Sequence, residues 1–449
     1  MHRYSEWFTR HPVRLVPFGF GAAIALCTFL LMLPVAQAGP GGTEFVDALY
    51  TATSAITVTG LITLDTPVHW SLFGEAVILV GMQIGGLGIM ASAAFLGLVV
   101  SKKLGLRSRL IAQAEVNRNV MVGDLKEVIR RTVIVMLSVE TVAAVILSLR
   151  FHHAYGFSGG SATWQGVFHS VSAFNSGGFS LFSNSMMDFA HDPWIIGTII
   201  ASSVIGGLGM PVLFEIARRN WGHRKWTLHT KMTLTGTTVL FVGGFFVFLG
   251  FEWSNPATLG PMGWDEKLLP ALFQSVMPRS TGFNSIEVGD METHSLLSAI
   301  VLMFIGGGSA STAGGIKVTT FFVLLWVIWS EVRGEPDVSA FRTRLSSAVI
   351  RQALSVALVY VAFIAAGVLL MQMFEPHMDL AHLMFEATSA GATVGQSAGI
   401  TGDLSDPSKW VSIVLMFGGR MGPVLLATSL AIRSRHRLYR YPEGRPLVG

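Results

Sequence analysis

The stretch TATSAITVTGLITLDT, residues 51–66, is threonine-rich and only half apolar, and it carries a single glycine, Gly60. It interrupts two long hydrophobic runs. FHSVSAFNSGGFS at 168–180 and MFEATSAGATVGQSAG at 384–399 echo it. Aligning Tyr50 to Ser54, Phe168 to Ser172 and Phe385 to Ser389 places a glycine six residues after each serine, at Gly60, Gly178 and Gly395. A fourth copy runs from Phe273 to Gly282 and is one residue shorter from its aromatic. The glycines fall 104 to 118 residues apart, so the chain reads as four tandem units.

The rest of the composition sets the medium. Hydrophobic residues make up 51% of the chain and charged residues 13%. Apolar runs cover residues 15–35, 73–100, 133–149, 194–216, 232–251, 296–329, 353–373 and 410–432. Each is long enough to cross a hydrocarbon core of ~30 Å as a helix. The expected fold class is therefore an all-α polytopic membrane protein with eight spanning helices and four re-entrant half-helices around a central pore. Its expected units are repeat 1 at 12–104, repeat 2 at 126–222, repeat 3 at 230–332 and repeat 4 at 348–436, with a C-terminal tail at 437–449. The early arginines and Ala36-Gln37-Ala38 resemble a signal peptide, but the apolar segment is too long for one and reads as a retained first helix. Cys27 is the only cysteine, so no intrachain disulfide can form.

Charge sets the orientation. Segments 3–14, 102–131, 218–231, 333–351 and 433–445 hold 25 of the 31 Lys and Arg residues, which places them and both termini in the cytoplasm by the positive-inside rule. The alternate connections carry acids such as Glu44, Asp47, Asp265 and Asp379, a charge that concentrates cations.

Segments of about eleven residues, such as 45–55 and 380–390, cannot cross a bilayer. Irregular backbone at membrane depth is tolerated where protein or water covers it, which favours re-entrant helices followed by loops lining a cavity. Glycine can turn its neighbours' carbonyls toward an axis, and carbonyl rings replace the hydration shell of a potassium-sized ion. The carbonyl ends of the half-helices add a dipole that favours a cation. The strands expected to form this filter are Thr57, Val58, Thr59 and Gly60; Asn175, Ser176, Gly177 and Gly178; Arg279, Ser280, Thr281 and Gly282; and Ala392, Thr393, Val394 and Gly395. Arg279 is expected to point behind the filter and brace the pore helix, because a guanidinium in the lumen would repel cations.

One apolar run contains a break. Gly306, Gly307, Gly308, Ser309, Ala310, Ser311, Thr312, Ala313, Gly314 and Gly315 are half glycine, each glycine costing roughly 1 kcal/mol against alanine in a helix. They read as a flexible loop within a broken helix, a gate beneath the filter. Lys317 and Arg420 flank it, and charge inside a membrane is expensive enough to imply a role. Arg420 is expected to hydrogen-bond loop carbonyls; a structural pair with Glu140 is the alternative. Snorkelling to the cytoplasmic interface is the alternative for Lys317.

These motifs resemble a known family. SAITVTGL, MQIGGLGIM at 82–90, IGGLGMPVL at 205–213, MFIGGGSASTAGGIKVTTF at 303–321 and MFGGRMGPVLLA at 416–427 are similar to the superfamily of bacterial KtrB and TrkH and plant HKT potassium transporters, over essentially the whole chain. No helix pair precedes the first repeat and the ending RYPEGRPLVG is similar to KtrB tails, which favours the KtrB branch. The resemblance implies that Gly60, Gly178, Gly282 and Gly395 bind potassium in a selectivity filter, and that 306–315 is the gating loop. It also implies a homodimer in the bacterial inner membrane on a cytosolic KtrA-type nucleotide-binding ring, with sodium either co-transported or stimulatory. Glycine at all four positions goes with potassium; a sodium or mixed monovalent-cation transporter is the alternative. An enzyme is not expected: no HExxH or GxxxxGK[ST] string is present, and no organic cofactor is implied.

Overall fold

A computed structural model describes residues 15–103, 125–218, 226–279 and 281–432. Among them most residues are helical; the only sheet is a two-stranded antiparallel hairpin, β1 Ser339–Ala340 with β2 Thr343–Arg344. The first elements are α1 Leu15–Leu31, α2 Phe45–Thr57 and α3 Leu72–Lys103. Next come α4 Leu125–Tyr155, α5 Gly159–Asn175, α6 Pro193–Leu208 and α7 Met210–Arg218. They are followed by α8 Leu228–Glu252, α9 Leu268–Val276, α10 Thr293–Phe304 and α11 Val318–Val332. The last are α12 Ser347–Phe374, α13 Leu380–Gly391 and α14 Asp406–Ile432.

Local chemistry sets several helix starts. Ser158 accepts from Ser161 N, Thr227 from Thr230 N and Ser346 from Val349 N, which satisfies amides that the first helical turn leaves free. Asp192 caps α6 through the amides of Trp194 and Ile195, with Pro193 at the first helical position.

By length and apolarity, four helices can cross a membrane among the described residues: Leu72–Ser92 within α3, Lys126–Tyr155 within α4, α8 and α12. α1, α10 and α11 are shorter apolar helices, and α6 with α7 would form one further span. That span is not the straight run expected over 194–216: the axis turns by 96° between α6 and α7. The cause is local. Gly209 has φ +91, and a Cβ there would lie 2.3 Å from Ser309 O. Pro211 has no amide with which to continue the helical ladder.

The large apolar side chains on α1, α4, α8 and α12, such as Leu26, Val142, Phe246 and Leu369, are exposed, the outward face of a protein whose solvent is lipid. The short helices α2, α5, α9 and α13 lie inside. The aromatics that open their motifs, Tyr50, Phe168, Phe273 and Phe385, are fully buried. The tail 437–449 and Ser280 lie outside the described residues.

Candidate functional site

The short helices α2, α5 and α13, and α9 with its 3-10 extension Met277–Arg279, each end immediately before a glycine-bearing stretch. The turn that ends three of them is left-handed at a residue other than glycine: Val58 (φ 54), Ser176 (φ 63) and Thr393 (φ 49). Two residues after each of these the glycine is again at positive φ, 99 at Gly60, 67 at Gly178 and 93 at Gly395, and Gly282 stands at φ 75. Alternation of hand along a strand turns successive carbonyls to one side, as it does successive amides in an anion nest.

The amides turn the other way and find partners. Gly60 N donates to Ser54 Oγ at 2.9 Å and Gly395 N to Ser389 Oγ at 3.1 Å. Thr59, Gly177 and Val394 N donate to the carbonyls of Ser54, Ser172 and Ser389, while Thr281 and Gly282 N share Met277 O. This explains the serine in the first and fourth copies of the motif: its hydroxyl occupies the amide of a glycine six residues on, which leaves that stretch presenting carbonyls, whereas Ser172 Oγ donates to Phe179 O at 2.9 Å.

The four glycines close on one another. A Cβ on Gly60 would lie 2.4 Å from Gly177 O, and one on Gly178 2.7 Å from Thr281 O. One on Gly282 would lie 2.4 Å from Val394 O, and one on Gly395 1.9 Å from Thr59 O. The order 60, 178, 282, 395 and back to 60 is a ring. What excludes a side chain here is the neighbouring strand's carbonyl.

The paired glycines of the longer motifs serve the same assembly from outside. Gly85 on α3 packs where a Cβ would be 2.1 Å from Ile56 O; Gly206 on α6 stands likewise at 2.1 Å from Phe174 O, and Gly419 on α14 at 1.8 Å from Gly391 O. Close approach, which only glycine permits, presses these helices onto the ends of α2, α5 and α13.

Residues 305–317 leave the membrane-helix pattern between α10 and α11. Gly306 N donates to Ile316 O and Ile316 N to Phe304 O, so the stretch doubles back on itself. It is held on one side by the bend of α6: Gly308 N donates to Gly207 O, Thr312 N to Gly206 O, and Met210 N to Ala310 O. On the other side Gly314 abuts Ala392 O and Thr393 Oγ1. Thr312 stands against the end of α5 and the second ring strand, donating to Phe174 O at 3.2 Å and bonding Ser176 Oγ at 3.0 Å. The sequence suggests a flexible loop; here its glycines admit close backbone contact, and most of the loop is buried.

Three cations converge on this loop. Arg420 Nη2 donates to Thr312 O at 2.5 Å and Nη1 to Thr393 Oγ1 at 3.1 Å, so one guanidinium ties the loop to a ring strand. Its alternative partner Glu140 lies elsewhere, bonded to Gln83 and Asn175. Lys317 Nζ donates to Ala313 O at 2.6 Å within the loop, instead of reaching away from it. Arg279 braces the loop where the sequence suggests the pore helix: Nη2 donates to Gly306 O at 2.9 Å and the guanidinium stacks on Phe241. Beside it lies a cavity of about 20 Å³ lined by Ser203, Thr281 and Gly307.

The string Gly395-Gln396-Ser397-Ala398-Gly399 matches the letters of a G-x-S-x-G nucleophile turn. It follows a helix end, without the strand–turn–helix context such a turn requires. Ser397 Oγ donates to the buried Glu386 carboxylate, which also accepts from Ala398 N and Thr401. These bonds fasten the segment after the ring. Among the described residues no cluster of His, Cys, Asp and Glu could hold a metal ion.

An apolar helical protein in which four buried helix ends meet at a ring of backbone carbonyls belongs to the class of membrane proteins that handle cations. The TrkH cation transport protein model matches residues 20–436, and the chain belongs to that family. It is 37% identical to Ktr system potassium uptake protein B of Bacillus subtilis over 99% of this chain and 98% of that one. The Vibrio alginolyticus protein of the same name is also 37% identical, over 97% and 94%. Potassium/sodium uptake protein NtpJ of Enterococcus hirae is 34% identical over 98% and 97%. The fold matches the crystal structure of the potassium transporter TrkH from Vibrio parahaemolyticus with a TM-score of 0.69 at 19% identity, covering 92% of this chain and 84% of that one.

Proposed function

We propose that this chain is the membrane subunit of a potassium uptake system, in which Gly60, Gly178, Gly282 and Gly395 and the carbonyls before them form the selectivity filter. The carrying observation is the closed order of contacts around the four glycines, each facing the carbonyl of the next strand. A dehydrated cation at its centre would meet four backbone oxygens without a fixed negative charge, the arrangement that suits a weakly hydrated monovalent ion. The C-terminal dipoles of α2, α5, α9 and α13 add to the attraction. Potassium then enters down its electrochemical gradient, about 2.3 kcal/mol per charge for each 100 mV of membrane potential.

Residues 306–315 are the gate in this reading, with Thr312 beneath the ring and Arg420 as its latch. Arg420 holds the closed form through two hydrogen bonds and places a positive charge below the ring, which opposes cation passage. Opening requires those bonds to break. The energy for this comes from a cytosolic KtrA-type nucleotide-binding subunit; several relatives carry the name of a Ktr system, and this chain has no GxxxxGK[ST] string of its own. The unit is a homodimer in the bacterial inner membrane with both termini in the cytoplasm. Sodium stimulates or accompanies potassium, as the name of the Enterococcus hirae relative suggests.

The test is growth at low potassium of a bacterium without its own uptake systems. It would express this chain with its regulatory subunit as wild type, Gly60→Ser and a variant lacking residues 306–315. Rescue by wild type, weakened by the serine and enhanced by the deletion, is expected. Failure of every form, with the protein present in the membrane, would favour sodium or mixed-cation transport.

A further inference from the structure

The residue that opens each ring strand is tethered differently. Thr57 bonds within its own segment, to Thr53 O and Thr59 Oγ1. Arg279 bonds the loop, and Ala392 has no polar side chain. Asn175 reaches outward, to a buried carboxylate. Its Nδ2 stands 2.9 Å from Glu140 Oε1, 3.0 Å from Gln83 Oε1 and 3.0 Å from Val171 O. Gln83 Nε2 closes the circuit onto Glu140 Oε2 at 2.9 Å. Glu140 is 5% exposed on α4, mid-membrane, and the bonds described for it come from two carboxamides and no cation. A charge so placed is costly unless it has a task.

Its task follows from donor chemistry. An ionised carboxylate only accepts. Both Asn175 and Gln83 must therefore present their NH2 groups to it, which leaves Gln83 Oε1 and Val171 O to share the second Asn175 hydrogen. Asn175 Oδ1 faces Gly86, where a Cβ would lie only 1.9 Å away, and has no partner. Glu140 thus selects one of two amide orientations, the one that Val171 O also requires. The amide it orients sits at the last turn of α5, one residue before the left-handed Ser176 and three before Gly178.

We propose that Glu140 is a positioning residue for ion selectivity: through Gln83 and Asn175 it fixes the second ring strand, so that discrimination between potassium and sodium depends on a carboxylate outside the ring. This rests on the ring being the filter.

The experiment reconstitutes the full chain in liposomes as wild type, Glu140→Gln, Asn175→Ala and Gly178→Ala, and measures potassium and sodium flux in each. Glu140→Gln keeps the size but removes the charge that holds the Asn175 amide, leaving Val171 O as its one fixed acceptor. Its potassium-to-sodium flux ratio is expected to fall roughly tenfold, the effect of one charge-assisted hydrogen bond, at unchanged yield of folded protein. Asn175→Ala is expected to lower the ratio similarly, and Glu140→Gln added to Asn175→Ala to lower it little further. A merely structural role would reduce flux of both ions together and leave the ratio alone, which would overturn the proposal. If Gly178→Ala also leaves the ratio unchanged, the ring is not the filter and the inference falls with it; if only Gly178→Ala lowers the ratio, the ring stands and the role of Glu140 alone is refuted.

Discussion

Alanine substitution around the ring gives a graded prediction, because the four glycines differ in both conformation and room. At Gly395 a Cβ would lie 1.9 Å from Thr59 O, where ordinary contact begins near 3.4 Å, so that carbonyl must yield by about 1.5 Å. At Gly60 and Gly282 the nearest carbonyl is 2.4 Å away and must yield by about 1.0 Å; at Gly178 it is 2.7 Å away and must yield by about 0.7 Å. Backbone angles order the series further. Gly178 (φ 67) and Gly282 (φ 75) lie near the left-handed region that alanine enters at about 1–2 kcal/mol. Gly60 (φ 99) and Gly395 (φ 93) lie beyond it, where the cost rises toward about 3 kcal/mol. Damage is therefore expected in the order Gly395, Gly60, Gly282, Gly178. Potassium flux and its ratio to sodium flux in liposomes containing equal amounts of folded protein would read it. Equal effects at all four positions, or greatest damage at Gly178, would refute the ring geometry.

Arg420→Gln removes a charge-assisted bond to Thr312 O, worth about 1.5–3 kcal/mol, and should raise the open fraction by at least about tenfold; unchanged flux without the cytosolic partner would count against the latch. Ser389→Ala leaves Gly395 N without its hydroxyl partner, and a loss of about 1 kcal/mol in thermal stability with lowered selectivity is expected. Lys409 and Asp47 form a 2.8 Å ion pair at 12% and 10% exposure between the start of α14 and α2; Lys409→Met should lower the melting temperature in detergent, by more than Arg344→Met at the exposed hairpin pair with Asp337. Asp379, which caps α13, has its carboxyl held below the ordinary carboxylate range chiefly by the hydrogen bond to His382. Its stabilising contribution is therefore full above the ordinary range and lost as pH falls through the lowered value, a loss that acid-unfolding curves should no longer show in Asp379→Asn.

The helical membrane class was legible in the sequence because it is carried by composition alone. The ends of the short helices were legible for another reason: the serine and the glycine lie six residues apart, and in the first and fourth copies they bond to each other, so the signal is local. The bend at Gly209 was not read from apolarity, which is blind to one backbone angle; Gly209 followed by Pro211 was the available signal. The partners of Arg279 and Glu140 lie 26 to 57 residues away in the chain, beyond any local pattern. Intramembrane charge marked these residues as consequential without saying what they touch. The loop glycines illustrate the same limit. Their number suggests freedom, and only the approach of Gly207, Leu208 and Ala392 carbonyls shows that they serve contact.

The most direct measurement is ion flux through the purified chain in liposomes, driven by a potassium or a sodium gradient of equal size, in wild type and Gly60→Ser. Faster potassium than sodium flux in wild type, with the difference narrowed by the serine, is the expected result. Equal fluxes for the two ions, or a serine variant that keeps the full preference, would contradict a potassium filter built from the four glycines.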